Sequence, residues 1–308
     1  MRYWLLLIVC LAQLVNAQNT RPTSKELAIS KFIDGTLTSP ADSLKVNTLA
    51  IILSGSGPTD RDGNQNFLKC DALKKLAYGL AEEGFSSFRF DKRVVKDIKN
   101  GIYDRQYQFD DFVSDAKDVL NFFKTQFSYN KIVLIGHSQG SLVAMLAAEN
   151  SDGIISIAGP AESIDLIISK QIKLNASEYS ESADKVLAIL KSGKTTNEYP
   201  LVLASLFAPS IQPFLMSWMS HNPSQVLEGL SLPSLIITGT NDLQVEKEQA
   251  IMLAKSSESS ELLIIPNMNH VLVDVSNDPL ENAKSYNDPR RPINTALIAG
   301  ISKFLKSL

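Results

Sequence analysis

Cysteine, histidine and tryptophan are rare in this chain, whose 308 residues include 2 Cys, 3 His and 2 Trp. Structural zinc needs clustered Cys and His ligands, and no cluster of that spacing occurs, so the sequence argues against a zinc site. The two cysteines are Cys10 and Cys70, and Cys10 falls in a segment that we expect to be removed. A disulfide framework is therefore excluded, and the core must be stable without one.

An excess of one charge is also lacking. The chain has 30 Lys and Arg against 33 Asp and Glu, for a formal net charge of -3. Because no basic stripe is available to meet phosphates, nucleic acid is not expected as a partner. The 44% hydrophobic and 20% charged residues are ordinary for a globular protein, which indicates one large domain or a domain with an insertion.

Long hydrophobic runs are missing as well. The apolar run Leu5–Leu14 is shorter than the ~20 residues that a membrane-spanning helix needs. It follows the basic residue Arg2 and ends in Val15-Asn16-Ala17, a pattern typical of a secretory signal peptide. We expect cleavage after Ala17, so that residues 1–17 are lost, no stable membrane anchor remains and the protein is periplasmic or secreted.

The rest of the chain alternates between two hydrophobic periods. A polar stretch at 18–25 predicts a linker, and the folded domain is expected at 26–308, opening with an antiparallel hairpin that turns at Asp34-Gly35. The short apolar runs predicted as strands are Leu49–Leu53, Phe85–Phe90, Ile132–Ile135, Ile154–Ile157, Leu235–Thr238 and Leu262–Ile265. The segments of helical period are Ala72–Glu83, Phe109–Lys124, Ser141–Glu149, Glu246–Lys255 and Ile293–Leu305. This alternation predicts an α/β fold with a mostly parallel, doubly wound sheet.

One connection is too long for an ordinary crossover. When the two strands of the opening hairpin are counted as the first two, about 75 residues separate the sixth and seventh core strands. Helical patterns at Ile164–Lys173 and Ala183–Lys191, followed by the apolar stretch Phe207–Met219, fill this interval. They predict a helical cap inserted at about 161–231.

A candidate nucleophile follows a central strand. The sequence there is Gly136-His137-Ser138-Gln139-Gly140, and a predicted helix begins directly after it. On such a sharp turn a strained backbone exposes the serine, and the two glycines leave room for the neighbouring strand and helix. Open α/β sheets bind ligands at the carboxyl ends of their strands, so Ser138 is the predicted nucleophile.

A serine hydroxyl needs a base, and histidine has the right proton affinity at neutral pH. Of the three histidines, His137 adjoins the nucleophile and His221 lies in the predicted cap, whereas His270 follows a predicted strand at the same edge of the sheet. His270 is therefore the predicted base.

The predicted acid is Asp242, in the turn after the strand Leu235–Thr238. The chain order Ser, Asp, His is the one expected when a nucleophile turn of this kind lies on an α/β sheet. Glu162 is the alternative acid, and capping of the following helix is the structural alternative for Asp242.

Backbone N–H groups are expected to stabilise an oxyanion beside the nucleophile. Gln139 N–H is one candidate, and Ser56 N–H, in the glycine-rich loop after Leu53, is the other. Gly55 and Gly57 allow this loop to approach a substrate closely, and both are predicted to contact it. In the cap, Phe214 and Trp218 are the predicted apolar substrate-binding residues, because small-molecule sites are mostly apolar.

Two segments carry a family resemblance. Ser54-Gly55-Ser56-Gly57-Pro58-Thr59-Asp60-Arg61-Asp62-Gly63-Asn64 and Phe88-Arg89-Phe90-Asp91-Lys92-Arg93 resemble the bacterial esterase and serine-aminopeptidase-like branch of the α/β-hydrolase superfamily. The resemblance covers about Leu49 to the C-terminus apart from the cap, and the chain departs from it at Val94-Val95, where the branch has a glycine-containing turn. It implies the α/β-hydrolase fold and the hydrolysis of carboxylic esters with short to medium acyl chains.

The predicted function is therefore that of a serine hydrolase acting on small ester substrates, with no cofactor and no metal. Cleavage of amides or peptides by the same three residues is one alternative. A non-catalytic binding protein on a hydrolase scaffold is another. Arg61 and Arg93 could bind an anionic substrate group, but their acidic neighbours favour internal ion pairs.

Overall fold

The computed structural model describes residues 21–42 and 47–308. The predicted signal peptide lies outside these residues. Eight strands form one sheet in the order β1-β2-β4-β3-β5-β6-β7-β8. The strands are β1 Thr23–Ala28, β2 Asp34–Ser39, β3 Thr48–Leu53, β4 Ser86–Phe90, β5 Lys131–His137, β6 Gly153–Ile157, β7 Ser234–Gly239 and β8 Ser260–Ile265. β2 pairs antiparallel with both β1 and β4, and the remaining pairs are parallel, which confirms the predicted mostly parallel sheet.

The opening hairpin forms, with two corrections to its predicted position. β1 begins at Thr23, inside the segment predicted as a linker, because its backbone pairs with β2. The chain turns between Ile29 and Ile33, where Ile29 N–H donates to Ile33 O at 2.9 Å. Gly35 lies within β2 and leaves room for the Phe88 ring of β4, because a Cβ at Gly35 would lie 2.2 Å from that ring.

Helices cover both faces of the sheet. Outside the cap they are α1 Ala72–Glu82, α2 Arg93–Lys99, α3 Phe109–Gln126, α4 Gln139–Ala147, α10 Lys247–Lys255, α11 Pro279–Ser285 and α12 Thr295–Ser307. Strand β3 shows how the period of two builds the core. Leu49, Ile51 and Leu53 pack on the side of α3 and α4, while Ala50 and Ile52 pack on the side of α1 and α12.

The predicted cap lies between β6 and β7, as expected. Its helices are α5 Ile164–Asn175, α6 Ser180–Lys191, α7 Ala204–Phe207, α8 Gln212–Met219 and α9 Pro223–Glu228. The cap has its own buried core, to which Ile168, Leu187, Phe207 and Leu215 contribute. Among the described residues no single helix has the length and apolarity to cross a bilayer, and the segments Leu201–Phe207 and Gln212–Met219 meet that test only as a pair bent by 58°.

The turn between β5 and α4 is held by very close backbone contacts. A Cβ on Gly136 would lie 2.2 Å from Gly140 O, and a Cβ on Gly140 would lie 2.4 Å from Leu53 O. Real side chains do not tolerate such distances. The two glycines therefore let α4 begin directly against the end of β3, with Ser138 at the apex of the turn.

This packing gives the first prediction. Gly140→Ala should lower the free energy of unfolding by about 1–3 kcal/mol, because the added methyl group must displace backbone. The control is Gly229→Ala, since Gly229 has a helical φ of -74° and its nearest neighbour would be 3.5 Å from the new Cβ. Urea unfolding of both variants measures the difference, and equal stability of the two would contradict the steric argument.

Candidate active site

Ser138 has a backbone conformation that serine rarely adopts. Its φ is 54° and its ψ is -120°, between the last residue of β5 and the first of α4. Ser138 N–H donates to Ile157 O of the neighbouring strand at 2.9 Å, and Ser138 O accepts from Ser141 N–H at 3.0 Å. These bonds hold a strained residue in place, and strain of this kind is concentrated at functional sites.

His270 and Asp242 form a buried pair. His270 Nδ1 lies 2.8 Å from Asp242 Oδ2, and the two side chains are 6% and 1% exposed. The second carboxylate oxygen, Oδ1, accepts from Gln244 N–H at 2.8 Å and from Val245 N–H at 3.0 Å. Asp242 thus also closes a turn, but it does not cap α10, whose N-cap is Glu246, so the structural alternative of a helix cap is wrong.

The protonation of the pair follows from its surroundings. Burial by itself would raise the pKa of Asp242, but His270 and the two backbone donors outweigh burial and lower it. Asp242 is therefore a carboxylate at neutral pH and accepts a hydrogen bond from His270 Nδ1–H. This fixes the imidazole tautomer and leaves Nε2 free to accept a proton.

Ser138 and His270 line one cavity of about 130 Å³. Its walls come from the segment between β3 and α1, the start of α1, the Ser138 turn, and the segments that follow β7 and β8. The other lining residues are Gly55, Ser56, Thr59, Gly63, Gln65, Leu68, Cys70, Ala72, Leu73, His137, Gln244, Val271 and Tyr286. The fold thus brings the predicted nucleophile and base to one site, with Asp242 hydrogen-bonded to the base.

The side chain of His137 contacts the backbone of His270, the predicted base. Its Nε2 lies 2.8 Å from His270 O, and the two ring centroids are 4.7 Å apart. Burial, together with the neighbouring His270, lowers the pKa of His137 to about 3. The ring is therefore neutral, and because a carbonyl oxygen can only accept, Nε2 carries the proton. His221 lies elsewhere, with Nε2 2.8 Å from Asp110 of α3.

The loop at residues 54–58, here called the oxyanion loop after the predicted donor Ser56, passes directly beside Ser138. A Cβ on Gly55 would lie 3.3 Å from Ser138 Cβ, and Ser56 lines the cavity. Ser56 O accepts from Thr59 Oγ1 at 2.7 Å and from Gln65 Nε2 at 3.0 Å, which fixes the loop. Gln139 is the first residue of α4, so its N–H belongs to the helix turn that has no intrahelical acceptor.

Lys92, which sequence reasoning missed, lies behind the oxyanion loop. It follows β4 and is 7% exposed. Its ammonium donates to Gly55 O, to Gly57 O at 3.3 Å and to Gln139 Oε1 at 2.8 Å. Burial lowers the pKa of Lys92 to about 7. A lysine directly after a buried strand was the available signal, but the sequence does not reveal which carbonyls it meets.

The predicted cap residues are not at the cavity. The Trp218 ring stacks on Phe109 of α3 with centroids 5.5 Å apart and an angle of 4°, and Phe214 contacts Phe112 at 5.5 Å. Neither lines the cavity that holds Ser138. The prediction that Phe214 and Trp218 bind substrate is corrected: they hold the cap against α3. Gly57 has a φ of 77°, and its carbonyl takes part in the contacts that hold the loop. Gly55 lines the cavity.

Part of the cavity wall comes instead from two segments that the sequence did not single out. A tight hairpin pairs Gln65 with Leu68, with backbone bonds of 2.9 and 3.1 Å. Tyr286 follows α11, and its hydroxyl accepts from Gln244 Nε2 at 3.1 Å. The two segments are far apart in sequence, so no local pattern could place them together.

The remaining candidates have other partners. Glu162, the alternative acid, accepts from Lys170 Nζ and from Gln249 Nε2 at 2.6 Å, away from His270. Arg61 and Arg93 lie in internal ion pairs, as the sequence favoured. Their partners are Asp91 and Glu26 for Arg61, and Asp111 and Asp115 for Arg93. Within the described part of the chain, no group of three or more His, Cys, Asp or Glu is placed to hold a metal ion.

Comparison with known families identifies the family of this chain. The sequence profile described as serine aminopeptidase, S33, matches residues 69–228, which include the Ser138 turn and most of the cap. The chain belongs to this family. Esterase EstD of Thermotoga maritima is 27% identical to this S33 protein over 253 residues, which are 79% of the chain and 60% of EstD. The chain thus spans 60% of the length of that relative.

Solved structures of similar shape have α/β-hydrolase folds. Est1E from Butyrivibrio proteoclasticus gives a TM-score of 0.57 at 14% identity, over 92% of this chain and 98% of Est1E. Dienelactone hydrolase from Anabaena variabilis gives 0.55 at 14% identity, over 93% and 98%. These matches confirm the fold class predicted for the S33 protein.

The buried pair gives a prediction about pH. A lowered pKa means that ionised Asp242 stabilises the folded S33 protein above pH 3.8, its ordinary pKa, and that this contribution is lost as pH falls through the lower folded value. Asp242→Asn should therefore cost about 2 kcal/mol at pH 7, as is typical of hydrogen bonds to charged groups, and progressively less below pH 4. Urea unfolding between pH 3 and 7 measures this difference.

Asp118→Asn is the control for the change in net charge, because Asp118 is exposed on α3. If the stability difference between wild type and Asp242→Asn stayed constant from pH 7 to 3, the assignment of an ionised, stabilising Asp242 would be wrong.

Proposed function

We propose that this S33 protein is a serine hydrolase that cleaves carboxylic esters with short acyl groups. The observation that carries the proposal is the buried Asp242–His270 bond of 2.8 Å, in a pair whose histidine shares a cavity with the strained Ser138. The predicted signal peptide supports an extracytoplasmic site of action.

The reaction follows the chemistry of the three side chains. Ser138 Oγ attacks the ester carbonyl carbon while its proton moves to His270 Nε2, and Asp242 stabilises the imidazolium that forms. The carbonyl oxygen becomes an oxyanion that accepts from Ser56 N–H and Gln139 N–H. The C–O bond of the ester then breaks, and the alcohol leaves with the proton from His270. Water, deprotonated by His270, then attacks the acyl carbonyl carbon; the bond to Ser138 Oγ breaks, the acid leaves, and Oγ takes the proton back from His270.

The first test removes the nucleophile. Ser138→Ala should lower kcat on p-nitrophenyl acetate by about 10⁵-fold and abolish labelling by a fluorophosphonate, while the urea unfolding midpoint stays close to that of the wild type. Ser114→Ala, on the exposed surface of α3, should retain both activity and labelling. Labelling that persists in Ser138→Ala would remove this serine from the mechanism, and a wild type inert to all activated esters and probes would favour the non-catalytic alternative.

The cavity supports short acyl groups. Its volume of about 130 Å³ is below the ~300–1,000 Å³ of ordinary small-molecule sites. Leu68, Leu73 and Val271 contribute apolar walls, while Gln65 and Tyr286 contribute neutral polar groups. Among the described residues that line it, none is Asp or Glu. An aminopeptidase would need such a carboxylate for the free amino group of its substrate, so the lining favours esters over aminoacyl substrates.

A chain-length series tests this substrate range. Values of kcat/KM should be highest for p-nitrophenyl acetate and butyrate and at least ~10-fold lower for the octanoate, because a cavity of about 130 Å³ cannot enclose the longer chain. Leu68→Ala should raise the relative rate on the octanoate. Leu166→Ala is the matched control, since Leu166 on the cap and Leu68 at the cavity are 44% and 41% exposed.

Equal rates along the series would contradict the size argument. Aminoacyl p-nitroanilides, assayed in parallel, separate the esterase proposal from the peptidase alternative that the family name suggests. Turnover of the anilides above that of the esters would favour the peptidase.

A further inference from the structure

Lys92 is a buried cation whose hydrogen bonds all converge on the oxyanion machinery. It lies beneath the oxyanion loop, and its described hydrogen-bond acceptors are Gly55 O, Gly57 O and Gln139 Oε1. Gly55 and Gly57 flank Ser56, and Gln139 directly follows Ser138. One ammonium thus links the segment of each proposed oxyanion donor.

These acceptors are neutral. The Phe112 ring of α3 lies 4.9 Å from Lys92 Nζ. Asp115, also on α3, lines a small cavity together with Lys92. The Asp115 carboxylate is bound by Arg93, with contacts of 2.7 and 2.8 Å. Transferring an ammonium from water into such a setting is unfavourable, and an apolar side chain of the same length would avoid that cost. Pairing these neutral acceptors does not by itself require a cation.

The geometry of the Gly55–Ser56 peptide better explains why a lysine lies at position 92. Gly55 C=O and Ser56 N–H belong to one planar trans peptide group, so they point in opposite directions. When the Lys92 ammonium binds Gly55 O on the buried side, it fixes the direction in which Ser56 N–H points on the other side. A cation on the carbonyl also polarises the peptide and makes its N–H a stronger donor.

Gln139 is held in the same way. Its Oε1 accepts from Lys92 Nζ, and its backbone N–H opens α4 beside the nucleophile. The Gln139 side chain is buried, and its Nε2 has no partner within the described part of the chain, so Lys92 supplies the polar anchor of that side chain.

We infer that Lys92 is a positioning residue for ester hydrolysis, holding the Gly55–Ser56 peptide and Gln139 so that both N–H donors meet the oxyanion of the transition state. This inference rests on the proposed function. Lys92 contacts the donors' own segments and not the reacting atoms, so its effect falls on transition-state stabilisation more than on substrate binding.

The experiment compares wild type with Lys92→Met and Lys92→Gln at pH 6.5. Met matches the length of the lysine without charge or donors, and Gln retains an uncharged donor. All rates are divided by the concentration of active sites, titrated with a fluorophosphonate until labelling is complete, so that unfolded protein is not counted. Lys96→Met is the control, because Lys96 lies on α2 and pairs with Asp34 at 2.6 Å.

For Lys92→Met we expect kcat on p-nitrophenyl acetate to fall about 10- to 100-fold while KM stays within twofold, because removing one oxyanion donor outright costs about 10²–10³-fold. The affinity for phenylboronic acid, whose tetrahedral serine adduct mimics the transition state, should fall by the same factor as kcat/KM. Lys92→Gln should lie between Met and wild type, and Lys96→Met should match wild type.

Variants of Lys92 that keep kcat and boronate affinity within twofold of wild type overturn the inference and leave the esterase proposal standing. A change confined to KM also overturns it, because that pattern places Lys92 in substrate binding. A wild type that neither turns over esters nor reacts with the fluorophosphonate overturns the proposed function, and the inference falls with it.

Discussion

The site depends on one steric constraint, the close contact between the start of α4 and the end of β3. A Cβ at Gly140 would lie 2.4 Å from Leu53 O, so the helix can begin there only with glycine at that position. Ser138, two residues before Gly140, has a positive φ of 54° in the turn that this contact closes. The same contact brings the first N–H groups of α4 next to the loop that leaves β3. Ser138, the proposed nucleophile, and both candidate oxyanion donors thus owe their proximity to backbone packing at this end of the sheet.

The histidine side of the site is held by polar contacts instead. His270 follows β8, and its ring is fixed by Asp242 after β7, while its backbone carbonyl is held by His137 at the end of β5. Each contact joins the carboxyl ends of strands that lie on the same edge of the sheet. An unpaired buried polar group destabilises the fold, so removing one partner of such a contact also leaves the other partner without its hydrogen bond. Parallel strands therefore supply the positions, and mutual pairing of buried polar groups supplies the orientation.

The sequence predicts the parts of this structure that are governed by local rules. Buried parallel strands such as Leu49–Leu53 read as continuous apolar runs, and the glycines around Ser138 mark a tight turn, so the mostly parallel sheet and the turn around Ser138 could be predicted. The cavity wall could not, because Leu68 and Tyr286 reach it from distant segments. Phe214 and Trp218 show the opposite error: an aromatic stretch indicates burial but not the partner, and here the partner is α3.

Charge is distributed around the site in a way that bears on the substrate. Arg61 and Arg93 are neutralised by carboxylates, and the cavity is lined by apolar and neutral polar side chains together with His137 and His270. Lys92 is buried behind the oxyanion loop and binds neutral oxygens. A substrate that is already negatively charged would be stabilised little, because the oxyanion loop separates it from the ammonium. An oxyanion that accepts a hydrogen bond from this loop would be stabilised directly. For the proposed esterase, the arrangement therefore favours a neutral ester that becomes anionic only in the transition state.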